Sequence, residues 1–212
     1  MRLAFLASNN GSSFRAIVEA TDDGRLSSTP VLAVSNKAGA PALEFARAHG
    51  IQANVIPTVA DPDGADLHLA ELLCAARIDL LVLSGYLRKL GPRTLSLLPG
   101  RVLNIHPSLL PAFGGAGMYG RRVHDAVLAA GVAETGASVH VVDPEYDQGP
   151  VLQQVRIPIQ YGDDAARVEA RVMAAEPALF IEVLRRIEAG DIVLNSSASA
   201  KGDTPLEAKG DL

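Results

Sequence analysis

The run Asp79-Leu80-Leu81-Val82-Leu83-Ser84-Gly85 decides the fold. Its four central residues are all apolar and lack the alternation that a strand shows when one of its faces meets water. Ser84-Gly85 ends the apolar run with residues that are typical of turns. The run therefore predicts a strand that is covered on both faces, as in the middle of a parallel sheet.

On either side of this strand, short apolar segments alternate with segments of helical periodicity. Such alternation is typical of right-handed βαβ crossovers, which build a mostly parallel sheet. We predict a Rossmann-like α/β fold, with a twisted sheet and helices on both of its faces. The predicted strands cover 3–7, 30–34, 53–56, 79–83 and 101–105, and the predicted helices follow residue 13 and cover 41–48, 67–76 and 93–98.

The second half of the chain has a different pattern. Two predicted strands, 136–142 and 151–157, flank the turn 144–149, and so short a connection predicts an antiparallel hairpin. Helices are predicted over 121–130 and over 163–189, and Gly190 ends the second. We expect residues 1–194 to form one domain. Residues 195–212 are rich in Ser, Ala, Gly, Lys and Asp, and they predict a disordered polar tail.

The composition excludes several classes of protein. Hydrophobic residues make up 48% of the 212 residues and charged ones 20%, a balance that fills a core. Nineteen basic residues against 24 acidic ones give a net charge of −5, so a nucleic-acid partner is not expected. Cys74 is the only cysteine, which excludes a disulfide framework within one chain and a zinc site built from its cysteines. No apolar stretch approaches the roughly 20 residues that span a bilayer, and the N-terminal apolar segment is too short for a signal peptide. We expect a soluble protein without a membrane partner, located in the cytoplasm.

The loop Ser8-Asn9-Asn10-Gly11-Ser12-Ser13 lies between a predicted strand and a predicted helix. Free N–H groups at the start of a helix and its positive dipole end attract anions, and small residues let a phosphate come close. The same residues are also typical of an ordinary helix cap formed by Ser12 or Ser13. The loop has neither the GxGxxG pattern nor the lysine of a P-loop, which disfavours binding of a dinucleotide or a nucleoside triphosphate.

The segment Leu103-Asn104-Ile105-His106-Pro107 carries the strongest chemical signal. Asn104 and His106 are two positions apart in a predicted strand, so their side chains leave on the same face. His106 lies at the carboxyl end of that strand, where open α/β sheets bind their ligands. An amide donor beside an imidazole can stabilise an oxyanion and then protonate it. The alternative is a structural Asn–His pair that holds a turn.

Asp147 and His140 belong to the predicted hairpin. A turn aspartate usually bonds its own backbone. If the hairpin lies beside His106, however, the Asp147 carboxylate would favour a charged imidazole and accept a proton. His140 on the preceding strand would face the same cleft. A nucleophilic triad is not indicated because Ser108 is not in a GxSxG motif, and the spacing of the histidines and aspartates predicts no metal site.

These motifs, taken in order, resemble the phosphoribosylglycinamide formyltransferase family. The resemblance runs from residue 1 to about 190. The Asn-His-Pro segment and the later Asp-x-Gly-Pro motif are typical of folate-dependent formyltransferases. The early Asn-Gly-Ser loop narrows the resemblance to this family and its close relative, formyltetrahydrofolate deformylase. The matching segments are Asn10-Gly11-Ser12, Ser84-Gly85-Tyr86-Leu87-Arg88, residues 104–111, Ser138-Val139-His140 and Asp147-Gln148-Gly149-Pro150.

The resemblance implies transfer of a formyl group from 10-formyltetrahydrofolate, the co-substrate, to the amine of glycinamide ribonucleotide in purine biosynthesis. It implies small-molecule substrates, no metal, and a monomer or homodimer. By motif position it also implies a role for each site residue. The catalytic residues would be Asn104, His106 and Asp147; the phosphate-binding residues Gly11, Ser12 and Ser13; other glycinamide-site residues Gly85 and Glu176; and the folate-binding residues Leu87, Arg88, Lys89, Leu90, Asn104, His140 and Asp143.

Two departures from the family pattern concern substrate contacts. Ser13 stands where the family usually has Asn, and its hydroxyl can still donate to a phosphate. The family often has an Arg near the folate tail, where this chain has residues 61–64, so either Arg88 and Lys89 hold the glutamate tail or folate affinity is lower.

Two other functions remain open. Formyltetrahydrofolate deformylase would use the same three catalytic residues to activate water, and it carries a regulatory domain before the first strand, which is not expected here. A folate- or nucleotide-binding relative without turnover is the non-enzyme alternative.

Overall fold

Seven strands form one sheet in the computed structural model, which describes residues 1–194; the tail predicted for residues 195–212 lies outside the described residues. The strands are β1 (Arg2–Leu6), β2 (Thr29–Ser35), β3 (Gln52–Val55), β4 (Leu80–Leu83), β5 (Val102–His106), β6 (Glu134–Val141) and β7 (Val151–Pro158). Their order across the sheet is β3-β2-β1-β4-β5-β6-β7. Strands β1 to β5 pair in parallel, whereas β6 is antiparallel to both β5 and β7. The mostly parallel sheet and the antiparallel hairpin are therefore confirmed.

Helices cover both faces of the sheet, as predicted. They are α1 (Ser12–Asp22), α2 (Pro41–Ala48), α3 (Pro62–Ala75), α4 (Pro92–Leu97), α5 (Arg121–Ala129) and α6 (Ala165–Ala189). Helices α1, α2 and α6 pack on one face, with α5 beside α6, and α3 and α4 pack on the other. Alternate residues of β1 serve the two faces: Leu3 and Phe5 join the first core, and Ala4 and Leu6 join the second.

The start of α3 differs from the prediction. The turn-like residues 61–64 predict a helix only from Leu67, but α3 begins at Pro62. Asp61 is the N-cap, and its Oδ1 atom accepts a hydrogen bond of 2.9 Å from the Gly64 N–H. Pro62 occupies the first turn, where its missing N–H costs nothing. Asp-Pro is here a helix start rather than a loop.

The path of the chain creates a crevice in the sheet. After β1 the chain moves outward through β2 to β3, and then returns to the other side of β1 to form β4. The loops after β1 and β4 therefore diverge to opposite faces, and such a switch point is where open α/β sheets bind ligands. The carboxyl end of β5 borders the same crevice.

Among residues 1–194, none of the helices combines the length and the apolar character that a membrane crossing requires.

Candidate active site

A cavity of about 920 Å³ opens at the carboxyl ends of β1, β4 and β5. Its walls are the loops that follow these strands, the segment 115–120, the β6–β7 loop and one side of α6. All the predicted site residues line it: Gly11, Ser12, Ser13, Gly85, Leu87, Arg88, Lys89, Leu90, Asn104, His106, His140, Asp143, Asp147 and Glu176. The structure thus brings together residues from both halves of the chain in one site.

The loop after β1 presents the start of α1 to this cavity. Gly11 is the N-cap, and its φ of 65° is a left-handed conformation that favours glycine. A Cβ atom at Gly11 would lie only 3.2 Å from the Cβ of Ala7. Gly11 offers no capping side chain, and in the part of the chain that the structure describes the side chain that accepts from the first turn of α1 is Ser84, at the Phe14 N–H. The alternative in which Ser12 or Ser13 caps the helix is therefore wrong, and the N–H groups of Ser12 and Ser13 remain available to a ligand.

Ser8 joins three of the loops around the cavity. Its hydroxyl donates to Oδ1 of Asn36 at 2.7 Å and accepts from the Leu87 N–H at 2.9 Å. Ser84 adds a second connection, because its Oγ accepts from the Phe14 N–H at 3.0 Å. These bonds fix the loops after β1, β2 and β4 relative to one another.

Lys37 is a cavity residue that the sequence analysis missed. It follows β2 and lines the end of the cavity formed by residues 8–13. Its Nζ atom donates to Oδ1 of Asn9 at 2.9 Å in an exposed contact. The other lysine and arginine that line the cavity, Lys89 and Arg88, belong to the segment after β4. The position of Lys37, just after the carboxyl end of a predicted strand, was the signal in the sequence that could have identified it.

Asn104, His106, His140 and Asp147 meet where β5, β6 and the β6–β7 loop come together. Asn104 lies opposite His140 in the antiparallel register, and their Nδ2 and Nε2 atoms are 3.0 Å apart. Oδ2 of Asp147 lies 3.4 Å from Nδ1 of His106, and Oδ1 lies 3.5 Å from Nε2 of His140. The predicted catalytic residues are therefore neighbours, and His140 belongs to the same group.

Asp147 is held in an unusual backbone conformation. Its φ of 56° is left-handed, which is uncommon for a residue other than glycine. The Gly115 N–H donates to its Oδ2 at 2.9 Å. A Cβ atom at Gly149 would lie 1.9 Å from the carbonyl oxygen of Val141, so only glycine allows this close return of the chain. These contacts aim the Asp147 carboxylate at the two histidines.

Both ring nitrogens of His106 face acceptors. Nε2 lies 2.8 Å from the carbonyl oxygen of Phe113, and Nδ1 faces the Asp147 carboxylate. His106 is 4% exposed, so its ring is accessible only through the cavity.

Burial changes the titration of three other groups. It lowers the pKa of His140, against the opposing effect of the Asp147 carboxylate. It likewise lowers the pKa of His124, a buried cavity residue on α5 that the sequence analysis missed. Within residues 1–194, Nδ1 of His124 has no hydrogen-bond partner. Burial raises the pKa of Glu176 on α6 to about 7, so this carboxyl group is partly protonated at neutral pH.

Arg88 and Lys89 border a second, smaller cavity of about 200 Å³ on the other side of the segment after β4. Apolar side chains that include Ile56 and Leu69 line it. The Lys89 ammonium also lies 5.3 Å from the ring centroid of Tyr146, across the mouth of the main cavity. The segment after β4 and the β6–β7 loop are thus in contact through a cation–π pair.

No group of three or more His, Cys, Asp or Glu side chains in the described part of the chain is arranged to hold a metal ion.

The fold and the site define a class of protein. A sequence profile of the family described as formyl transferase matches residues 1–184, so the chain belongs to that family. It is 35% identical over 201 residues to phosphoribosylglycinamide formyltransferase of Escherichia coli (strain K12), an alignment that covers 94% of this chain and 92% of the relative. The chain therefore belongs, within the formyl transferases, to the phosphoribosylglycinamide formyltransferase family that its motifs indicate.

Two further comparisons agree. The chain is 38% identical over 189 residues to the chloroplastic phosphoribosylglycinamide formyltransferase of Arabidopsis thaliana, which covers 88% of this chain and 65% of that relative. This chain thus spans less than two thirds of that relative's length. The crystal structure of glycinamide ribonucleotide transformylase 1 from Symbiobacterium toebii superposes with a TM-score of 0.85 at 34% identity, over 92% of this chain and 91% of that one.

Proposed function

We propose that this protein transfers the formyl group of 10-formyltetrahydrofolate to the amine of glycinamide ribonucleotide. The products are formylglycinamide ribonucleotide and tetrahydrofolate, and the reaction belongs to purine biosynthesis. One observation carries the proposal: a single cavity joins the glycine-led start of α1, which suits a phosphate, to the group of Asn104, His106 and Asp147. Membership of the phosphoribosylglycinamide formyltransferase family supports it.

The nucleotide phosphate binds at Gly11, Ser12 and Ser13 in this proposal. Backbone N–H groups and the positive end of α1 attract it. The cavity walls also carry five carboxylates, which oppose an anion: Asp143, Glu145, Asp147, Glu169 and Glu176. Lys37 contacts this loop through Asn9, and its ammonium can exchange that neutral partner for a phosphate oxygen. Gly85 and Glu176 hold the rest of the glycinamide ribonucleotide.

The folate lies along the segment after β4 and against the β6–β7 loop. Leu87 and Leu90 give apolar contact to its ring system, and His140 and Asp143, which line the same cavity, give polar contact. Arg88 and Lys89 border both cavities, which supports a glutamate tail that follows this segment. A flat ring system held by apolar walls and a few polar groups is typical of small-molecule sites.

The chemistry begins with attack of the neutral amine on the formyl carbon. A carbon–nitrogen bond forms, and the formyl oxygen becomes a tetrahedral oxyanion that N–H groups of Asn104 and His106 stabilise. Nε2 of His106 must first leave the Phe113 carbonyl, because that nitrogen is engaged in the structure described here. The bond to the folate nitrogen then breaks. The proton lost by the attacking amine passes, through Asp147 and water, to the departing nitrogen.

No step of this chemistry requires a metal ion, since protein N–H groups supply the oxyanion stabilisation. The proposed setting is the cytoplasm, and the proposed partners are the two small-molecule substrates. The protein acts as a monomer or a homodimer.

Isotope-labelled formyl folate tests the proposal. Purified protein is mixed with 10-formyltetrahydrofolate labelled in the formyl carbon and with glycinamide ribonucleotide, and the products are identified by mass spectrometry. We expect the label in the nucleotide. Label found only in free formate would show deformylase chemistry and would reject the transferase.

A further inference from the structure

The His140 ring does more than line the cavity, because contacts at both of its nitrogens hold it in place. It lies on β6, is 2% exposed, and faces Asn104 across the antiparallel pair. Its Nε2 atom lies 3.0 Å from Nδ2 of Asn104, and its Nδ1 atom lies 3.0 Å from the carbonyl oxygen of Val141. Both ring nitrogens are therefore engaged inside the protein.

These two contacts assign the tautomer of His140. The amide nitrogen of asparagine only donates hydrogen bonds, so Nε2 of His140 accepts from it. A carbonyl oxygen only accepts, so Nδ1 carries the hydrogen and donates it to Val141. The ring is neutral in this state, in agreement with the burial that lowers the pKa of His140.

The bond to His140 uses one of the two N–H groups of the Asn104 amide. Among the described residues, the Asn104 side chain makes no other hydrogen bond. We propose that neutral His140 is a positioning residue, which orients the Asn104 amide so that its second N–H is presented to the formyl oxygen. This inference rests on the proposed function.

Protonation of His140 would reverse the orientation. An N–H on Nε2 would then meet the N–H of Asn104, and the amide would rotate to offer its oxygen to the ring. Rotation exchanges the oxygen and nitrogen of the amide, so an acceptor would replace a donor beside the oxyanion. The titratable groups that act on His140 are Asp147 and Asp143, which favour its charged form, and His106, which opposes it.

Three variants test the positioning role. His140→Leu keeps the bulk of the side chain and removes the acceptor, His140→Gln keeps an acceptor that does not titrate, and Asn104→Ala removes the oriented donor. We expect His140→Leu to lower kcat roughly 10- to 100-fold, because the loss of one oxyanion donor costs about 100- to 1,000-fold and a misoriented amide retains part of its effect. KM for glycinamide ribonucleotide should change little. His68→Leu, on the exposed side of α3, is the control.

Two results would distinguish positioning from a structural role. His140→Gln should recover most of the lost rate and should remove the contribution of His140 to the acid side of the kcat–pH profile. The double variant Asn104→Ala/His140→Leu should be no slower than Asn104→Ala alone, since His140 acts only through Asn104.

Additive losses in the double variant, or a rise in the KM for folate without a fall in kcat, would overturn the inference. If His140→Leu does not fold, as judged by circular dichroism, the pH profile of His140→Gln decides: an unchanged acid side overturns the inference. Failure of the proposed function is distinguishable, because it would appear as absence of formyl transfer in the wild-type protein.

Discussion

The Oδ2 atom of Asp147 lies 3.4 Å from the Nδ1 atom of His106, although Asp147 belongs to the β6–β7 loop and His106 is the last residue of β5. Because β6 runs antiparallel to β5, it ends at Val141 beside Leu103, near the start of β5, and the β6–β7 loop must fold back toward the end of β5 to bring Asp147 to His106. The left-handed backbone at Asp147 and the hydrogen bond from Gly115 then aim the carboxylate at the ring. The hairpin is thus the element that completes the site on the parallel half of the sheet.

Asp147→Asn should lower kcat by roughly 100- to 10,000-fold, the usual contribution of a positioned acid or base. The amide keeps the size of the side chain but cannot accept the proton of the attacking amine. Steady-state kinetics should show a much smaller change in KM. Asp125→Asn, which changes an exposed carboxylate on α5, should leave kcat within about twofold, as surface substitutions usually do. An Asp147→Asn enzyme with near-normal kcat would exclude proton transfer through this residue.

Lys37→Met should raise the KM for glycinamide ribonucleotide about tenfold, which corresponds to roughly 1.4 kcal/mol of lost binding. The reason is the loss of the cation beside the phosphate loop. Lys37→Arg should recover part of the affinity for glycinamide ribonucleotide. Added salt should raise the KM for this substrate more in the wild-type enzyme than in Lys37→Met. Lys89→Met is the matched comparison, because it should change the KM for folate instead. Equal effects of both variants on both substrates would contradict the separation of the two ends of the cavity.

Glu176→Gln should stabilise the protein in mildly alkaline buffer. The carboxyl group ionises near 4.5 in an unfolded chain and near 7 in the folded protein. Below pH 4.5 the carboxyl group is protonated in both states, so its ionisation does not change the free energy of unfolding. Between these values the unfolded state gains from ionisation, so the folded wild type loses stability as the pH rises and stays at the lower level above pH 7.

Thermal unfolding of wild type and Glu176→Gln at several pH values measures this effect. The two Tm values should agree near pH 4.5, and the variant should melt higher near pH 8. Its KM for glycinamide ribonucleotide should rise if Glu176 holds that substrate. Tm curves that stay parallel over the whole range would show that Glu176 ionises normally.

Asp66 should be important for stability although it lies outside the main cavity. Its carboxylate is 6% exposed and accepts hydrogen bonds from the Arg93 N–H, the Thr94 N–H and the Thr94 hydroxyl, at 2.8, 3.1 and 2.6 Å. Asp66→Ala leaves these donors unpaired at the start of α4. We expect a loss of about 2 to 3 kcal/mol in the free energy of unfolding, measured with urea. Asp63→Ala, an exposed change on the same helix, should cost under about 1 kcal/mol.

Sequence patterns predicted the framework well because it depends on local physics. The apolar run at β4 and the proline at the start of α2 identify a buried strand and a helix without reference to the rest of the chain. The start of α3 was misplaced because Asp-Pro is compatible with both a turn and a helix cap. Only the hydrogen bond from Gly64 to Asp61 distinguishes the two.

The candidate site was predictable only where motifs mark it. Asn104 and His106 share a strand, so their common face follows from the two-residue period. Lys37 had only its position after a predicted strand as a signal, and His124 enters the cavity through the packing of α5, which no local pattern records. The contact of His140 with Asn104 depends likewise on the register of β5 and β6. Long-range register and loop packing are thus what the sequence left open.

The most direct test of the proposed function measures tetrahydrofolate release from 10-formyltetrahydrofolate with and without glycinamide ribonucleotide. Purified protein should release tetrahydrofolate only when the nucleotide is present, in equal amount to the formylated nucleotide formed. Release at the same rate without the nucleotide would contradict formyl transfer and would indicate hydrolysis of the formyl folate instead.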